Sequence, residues 1–206
     1  MSSTTLTDLL VPTYKQNLQN LSKWLEKAKA AAAVASDNDD DGVTKILSRR
    51  LAPDMFPLAT QVRFVCYQAQ ESIYRIKGEE IPAVVHEIAE EGRKLGSKDD
   101  DATPKDTFES AQARISEALA FLDTLQADSL DQDGSATRML VLELPGGTGM
   151  TFDLTGEQFA RDWALPQFYF HTVVAYSILR GAGVELGKAD YVPHMFAYMR
   201  PPAESV

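Results

Sequence analysis

LPQFYFHTVVAYSILRGAG occupies residues 165–183, and its reading decides the fold. Between Pro166 and Gly181 its one charged residue is Arg180. Phe168, His171, Ala175, Ile178 and Leu179 recur at steps of three and four, which is one face of an α-helix. Pro166 suits the start of that helix, and Gly181 or Gly183 suits its end. A face this apolar belongs in a core of packed helices, and His171 stands in it. An imidazole there must find a hydrogen-bond partner or a metal. Two readings follow: a core histidine held by a carboxylate, a tyrosine or a backbone carbonyl, or one member of a polar site inside the helices.

Working back along the chain, Thr155 can cap GEQFARDWA. Before it, strand-like MLVLEL and MTFDL flank PGGTG at 145–149, which predicts a short β-hairpin. Residues 129–136 read as loop. A helix precedes them, with Phe108, Ala111, Ile115, Ala118, Leu119, Leu122 and Leu125 inward, and with Asp106 and Glu109 at capping-box spacing. Residues 81–105 read as an insertion holding a short helix, IPAVVHEIAEEGRKLG, and a solvated loop, KDDDATP. Further back, Asp54 is placed to cap a helix whose stripe is Met55, Leu58, Val62, Cys66, Ala69, Ile73 and Ile76, ending at Gly78. Residues 42–51 have room for one or two helical turns. The first helix runs from about Leu9 to Ala35, with Pro12 in its first turn and Leu10, Tyr14, Leu18, Leu21, Leu25 and Ala28 on one face. The tail, 192–206, reads as irregular and packed by its aromatics. Four inward stripes and no internal repeat predict an all-α chain, a single domain over 1–206. The expected architecture is an antiparallel four-helix bundle with a small β-hairpin before the fourth helix.

Composition narrows the function classes. The 206 residues are 44% hydrophobic and 24% charged, with a net charge of -10. An acidic chain without a Lys/Arg stripe excludes nucleic acid and disfavours an anionic membrane surface, because both need cationic side chains. No run approaches the roughly 20 apolar residues of a membrane span. The N-terminus lacks the basic, then apolar pattern of a secretory signal. Cys66, the sole cysteine, lies on an apolar stripe and reads as a buried, inert thiol. The expected setting is cytoplasmic.

Two motifs fail on inspection. DNDDDG places Asp37, Asp39, Asp41 and Gly42 like the start of a calcium loop, but the twelfth position, where a bidentate Glu is needed, is Ser48. It reads as a solvated acidic loop, as does KDDDA at 98–102. PGGTG has no following lysine-bearing helix and is not a phosphate loop. No G-x-S-x-G is present.

LAPDMFPLATQV at 51–62 and FYFH…AY.ILR…G..LGK.DY within 165–191 resemble an uncharacterised, fungal-type domain family of the DinB/YfiT-like superfamily of metalloenzymes. The resemblance implies a four-helix bundle. It also implies a divalent metal held by three histidines, one on the second helix and an HxxxH pair on the fourth. His171 matches the first of that pair. Ala175 stands where the second should be, and 55–77 has no histidine. Neither His86 nor His194 falls at a matching position. The expectation is therefore a degenerate triad, no metal ligand set and no resident cofactor. A metal at His171 would need further ligands from Asp54, Glu71, His86 or His194.

What remains is a bundle with a polar pocket around His171, with Tyr14, Asp54, Gln61, Tyr67 and Tyr176 as candidate lining. Each also has a plainer reading, as a cap, a surface glutamine or a tyrosine with its ring packed and its hydroxyl wet. Lys188, Asp190 and Tyr191 are expected to lock the tail on the bundle through a Lys–Asp pair. Two functions stay open. One is a small-molecule enzyme of transferase or isomerase/cyclase type with His171 as catalytic acid or base. The other is a non-catalytic bundle, either a ligand binder or a homodimer formed through Phe196, Tyr198 and Met199.

Overall fold

The computed structural model describes residues 4–35, 45–97, 106–144 and 149–200. The acidic runs at 37–42 and 98–102 and positions 145–148 of the glycine-rich turn lie outside the described residues. The chain is mostly helical, with one two-stranded antiparallel sheet.

Helix α1 spans Leu6–Ala35. Leu10, Leu18, Leu21 and Leu25, four of the residues on its inner face, are fully buried. Its first turn is capped from a distant loop, since the Leu6 amide donates to Asp131 Oδ1 at 2.8 Å. The helix therefore starts one turn earlier than its apolar spacing suggests, and Pro12 lies inside it rather than in the first turn.

Helix α2, Leu58–Lys77, is the centre of the molecule. It packs against α3 (Ala83–Leu95), α4 (Phe108–Asp123) and α6 (Leu165–Gly181). The cap is not the Asp54 that the sequence suggests. Pro57 is the N-cap, and Asp54 is exposed in a turn before it. The turn is held instead by Arg50, whose Nη1 donates to the Met55 carbonyl at 2.7 Å, and by an Arg50–Pro57 bridge. Gly78 ends α2 at φ 69°, a left-handed conformation that glycine adopts without strain.

The larger surprise is the outer face of α2. The sequence predicts one buried apolar stripe, with a surface position as the plainer reading of Gln61. Thr60, Gln61, Arg63, Gln68, Gln70, Glu71 and Ser72 are all buried as well. Helix α3, from the 81–105 segment, lies along part of this polar face. Thr60 Oγ1 donates to the Gly92 carbonyl at 2.7 Å, and Arg63 Nε comes within 3.4 Å of Glu91.

Helix α4 is capped by Thr107, whose hydroxyl accepts from the Ser110 amide. Asp106, expected in that role, is buried and pairs with Arg63 Nη2 at 2.9 Å. The pairing turns Asp106 into the protein, and its second oxygen, Oδ2, accepts no hydrogen bond from the helix terminus.

Strands β1 (Met139–Glu143) and β2 (Thr151–Thr155) form the expected hairpin, with Leu142 opposite Phe152. Thr155 caps α5 (Gly156–Phe159) in a reciprocal box with Gln158. A Cβ on Gly156 would lie 2.0 Å from the Ser135 carbonyl oxygen, so only glycine admits this approach. The chain runs from α5 through a π turn, Ala160–Ala164, straight into α6, and the Leu165 amide donates to the Ala160 carbonyl, five residues back. Pro166 has no amide hydrogen to continue a regular ladder, and a change of helical step directly before it is the local answer.

The tail makes a short helix α7, Lys188–Tyr191, and a 3-10 segment, Pro193–Tyr198. Asp190 does pair with a lysine, but it is Lys27 of α1 at 2.7 Å and not Lys188. Tyr191 stacks on Trp24 with ring centroids 5.7 Å apart. Phe196, Tyr198 and Met199 remain exposed. No helix among the described residues is long and apolar enough to cross a membrane.

Candidate functional site

His171 projects from α6 towards α2. Its Nδ1 lies 2.8 Å from Gln61 Oε1, and Gln61 Nε2 donates to the Phe56 carbonyl at 3.0 Å. That carbonyl fixes the amide orientation, so the oxygen faces the imidazole. An amide oxygen only accepts, and therefore Nδ1 carries the hydrogen and Nε2 the lone pair. Burial lowers the His171 pKa to about 4, so the ring is neutral at pH 7. Phe64 and Phe170 flank it at centroid distances of 4.9 and 5.2 Å.

The ring borders a cleft of about 430 Å³. No hydrogen bond reaches Nε2 among the described residues, and Nε2 is not a sealed atom. It is the free acceptor that the cleft presents. The aromatic and aliphatic walls are Phe56, Phe64, Leu142 and Trp163. The polar lining is Tyr67, Gln68, Glu71, Arg75, Arg93 and Gln167. Glu71 Oε1 accepts from Arg75 Nε at 2.6 Å, which neutralises both. The Tyr67 hydroxyl is held well above its usual pKa by burial and then by the Glu71 charge, while Arg75 and, less, Arg93 pull the other way. Tyr67 is thus a neutral hydroxyl beside a carboxylate. Glu143, next to the buried Leu142 on β1, also borders the cleft and adds a carboxylate to its rim.

Of the residues singled out in sequence, His171 and Tyr67 meet at the cleft, with Gln61 directly behind the imidazole. Tyr14 does not join them. It is fully buried, bonded to the Ser72 hydroxyl at 2.9 Å and tilted on Phe168. Tyr176 packs with Trp24 and Tyr191 at the tail. Asp54 is exposed in its turn. Cys66 is sealed, and burial pushes its thiol up to about 12. Glu71, considered as a carboxylate ligand, does line the cleft.

Gln68, Arg75, Arg93, Trp163 and Gln167 were not singled out as lining. A signal existed for part of the set. Phe64, Tyr67, Gln68, Glu71 and Arg75 repeat at three- and four-residue steps, a second stripe on α2 that mixes aromatic and polar types. A plain solvent face would not carry the aromatics.

The site and fold define a DinB-like helical domain. A solved structure, a DinB family member protein from Shewanella denitrificans, is 30% identical and superposes with a TM-score of 0.67, covering 98% of this chain and 96% of that one. The sequence matches the family described as Domain of unknown function (DUF1993) over residues 6–192, and the chain belongs to that family. No curated protein matches it.

The three-histidine metal set that the resemblance implied does not fit these residues. Ala175 offers no donor, and α2 has no histidine. His86 borders a separate surface cleft with Glu79 and Glu80, and His194 sits on the tail. Among the described residues no group of three or more His, Cys, Asp or Glu side chains could hold a metal ion.

Proposed function

We propose that this protein is a small-molecule-binding domain in which α1, α2, α4 and α6 form an antiparallel DinB-type bundle and the His171 cleft is the ligand site. The observation that carries this reading is the relay from the Phe56 carbonyl through Gln61 to His171. It commits one buried polar side chain, Gln61, and one backbone carbonyl to holding the imidazole in one tautomer. A histidine that merely filled the core would gain nothing from an unpartnered Nε2 at the wall of a cleft.

The neutral ring makes His171 foremost a hydrogen-bond acceptor for a ligand N–H or O–H. A base with a pKa near 4 takes a proton only from a strongly acidified group, so transferase or isomerase/cyclase chemistry would need the bound ligand to raise that value. The sole cysteine and the acidic balance support a cytoplasmic setting.

Ligand-observed NMR with a library of small fragments tests the cleft. Hits on the wild type should vanish in Gln167→Trp, which fills the cleft from α6. Hits that survive the filling, or a library without hits, would sink the reading.

A second reading, a non-catalytic homodimer, is supported by the exposed Phe196, Tyr198 and Met199. Sedimentation velocity separates it: a dimer that Tyr198→Glu dissociates supports it, and a monomer at high concentration removes it.

A further inference from the structure

The chemistry of the cleft narrows what it takes. Resting on the cleft being the ligand site, we propose that its ligand is a small planar aromatic or heteroaromatic acid that also carries a ring O–H or N–H donor.

Three independent features lead there. The first is the wall. Phe56 and Phe64 meet edge to face at 5.4 Å, Phe64 in turn flanks His171, and Trp163 stands half-buried on the same cleft. Trp163 lies within the π turn, and such turns recur where a helix must redirect a side chain at a functional site. Aromatic walls reward a flat, polarisable ring over an aliphatic one of equal size.

The second is the acceptor. Nε2 of His171 has its lone pair fixed by Gln61 and has no donor among the described residues. A ligand that covers Nε2 without bringing an O–H or N–H strips that acceptor of solvent, leaves it unsatisfied and loses affinity for it. Nearby, the Oε1 atom of Gln68, on a side chain more than nine-tenths buried, also lacks a donor.

The third is charge. Arg75 is neutralised by Glu71 at 2.6 Å. Arg93 makes no ion pair among the described residues, and it lines the cleft from α3. A free arginine beside a cleft favours a carboxylate, which it can grip with two parallel bonds. Glu143 adds a carboxylate to the same rim, so the pull on an acid is confined to the neighbourhood of Arg93.

The test uses 4-hydroxybenzoate and three relatives, each lacking one feature: 4-methoxybenzoate, 4-hydroxybenzamide and cis-4-hydroxycyclohexanecarboxylate. Binding is read by quenching of tryptophan fluorescence for the aromatic probes and by ligand-observed NMR for all four. Trp24, packed in the tail cluster, serves as the internal control in Trp163→Phe. The parent compound should bind, and each deletion should weaken binding at least fivefold. Arg93→Ala should erase the difference between acid and amide. His171→Phe should erase the difference between hydroxyl and methoxy. Arg93 is exposed, so that variant folds even where the histidine variant does not. Equal affinity for acid and amide, for hydroxyl and methoxy, or for the flat and the saturated ring overturns the proposal. So does failure of all four probes. If other fragments still enter the cleft and are expelled by Gln167→Trp, the ligand class is wrong while the site stands. If nothing enters, the site itself is wrong.

Discussion

Gln61 and Arg63 stand two residues apart on α2, leave it on opposite faces, and are 1% and 2% exposed. Their surroundings differ in kind. Arg63 is sealed among charges: Asp106 at 2.9 Å, the Ser110 hydroxyl at 2.8 Å and Glu91 at 3.4 Å, with Arg114 bracing Glu91 from α4. It ties α2 to α3 and α4 and does not line the His171 cleft. Gln61 is neutral, has both amide atoms engaged, and hands its order on to an imidazole that borders a cleft. A buried ion pair that meets only the chain's own charges acts as a fastener, even where, as at Arg63 Nε and Nη1, it leaves hydrogens without an acceptor among the described residues. A buried polar group that ends on a free acceptor at a cavity wall is arranged for something outside the chain.

Four measurements break or sharpen that contrast. The largest effect belongs to the fastener. Asp106→Ala leaves a buried guanidinium short of its closest counter-charge and should cost about 3–5 kcal/mol in urea unfolding. The double variant Arg63→Met with Asp106→Leu should recover at least half of that loss. A double variant as unstable as the single one would mean that the pair's role is not charge compensation.

Next comes acid. The unfolded chain protonates this histidine near pH 6.5, whereas folded His171 does so near 4. Between those values the unfolded state holds more protons, so stability falls as pH falls, by about 3 kcal/mol in all, and the loss is complete below about 4. His171→Gln should remove this component of the stability–pH curve while the carboxylate-driven part persists. Identical curves for the two proteins would refute the buried neutral ring.

Gln61→Leu should cost about 1–3 kcal/mol, because Nδ1 loses its acceptor inside the protein. Gln61→Glu sharpens the same point, since a carboxylate behind the ring should raise the His171 pKa in an NMR titration. An unmoved titration would show that Gln61 does not govern the ring.

The smallest effect is at the surface. Lys27 and Asp190 are both partly exposed, and Lys27→Ala should change stability by less than about 1 kcal/mol. A larger loss would show that the tail is fastened by charge and not by Tyr191 on Trp24.

Much of the helical order was legible because it rests on local signals. The apolar period of 165–179, the strands around the glycine-rich turn, the Thr155 cap and Gly78 all act within a few residues of themselves. What the sequence hid depends on partners far along the chain. Asp131 caps α1 across more than a hundred positions, and Arg63 draws Asp106 away from the cap that its spacing suggests. The cleft was half legible for the same reason. His171 stood out by its type on an apolar face. Gln61 looked like a surface residue until α6 and the turn at Phe56 closed over it.

The π turn at Ala160–Ala164 sets the relative rotation of everything before and after it. Each residue of an α-helix advances the chain by about 100°. Removing one residue from that turn would restore an ordinary ladder, yet it would swing Trp163 and the whole hairpin around the axis of α6, and Leu142 would leave the wall it shares with His171. The turn behaves like the offset key in a lock barrel. The helix on either side would survive a change of its length, and the alignment between the two sides would not.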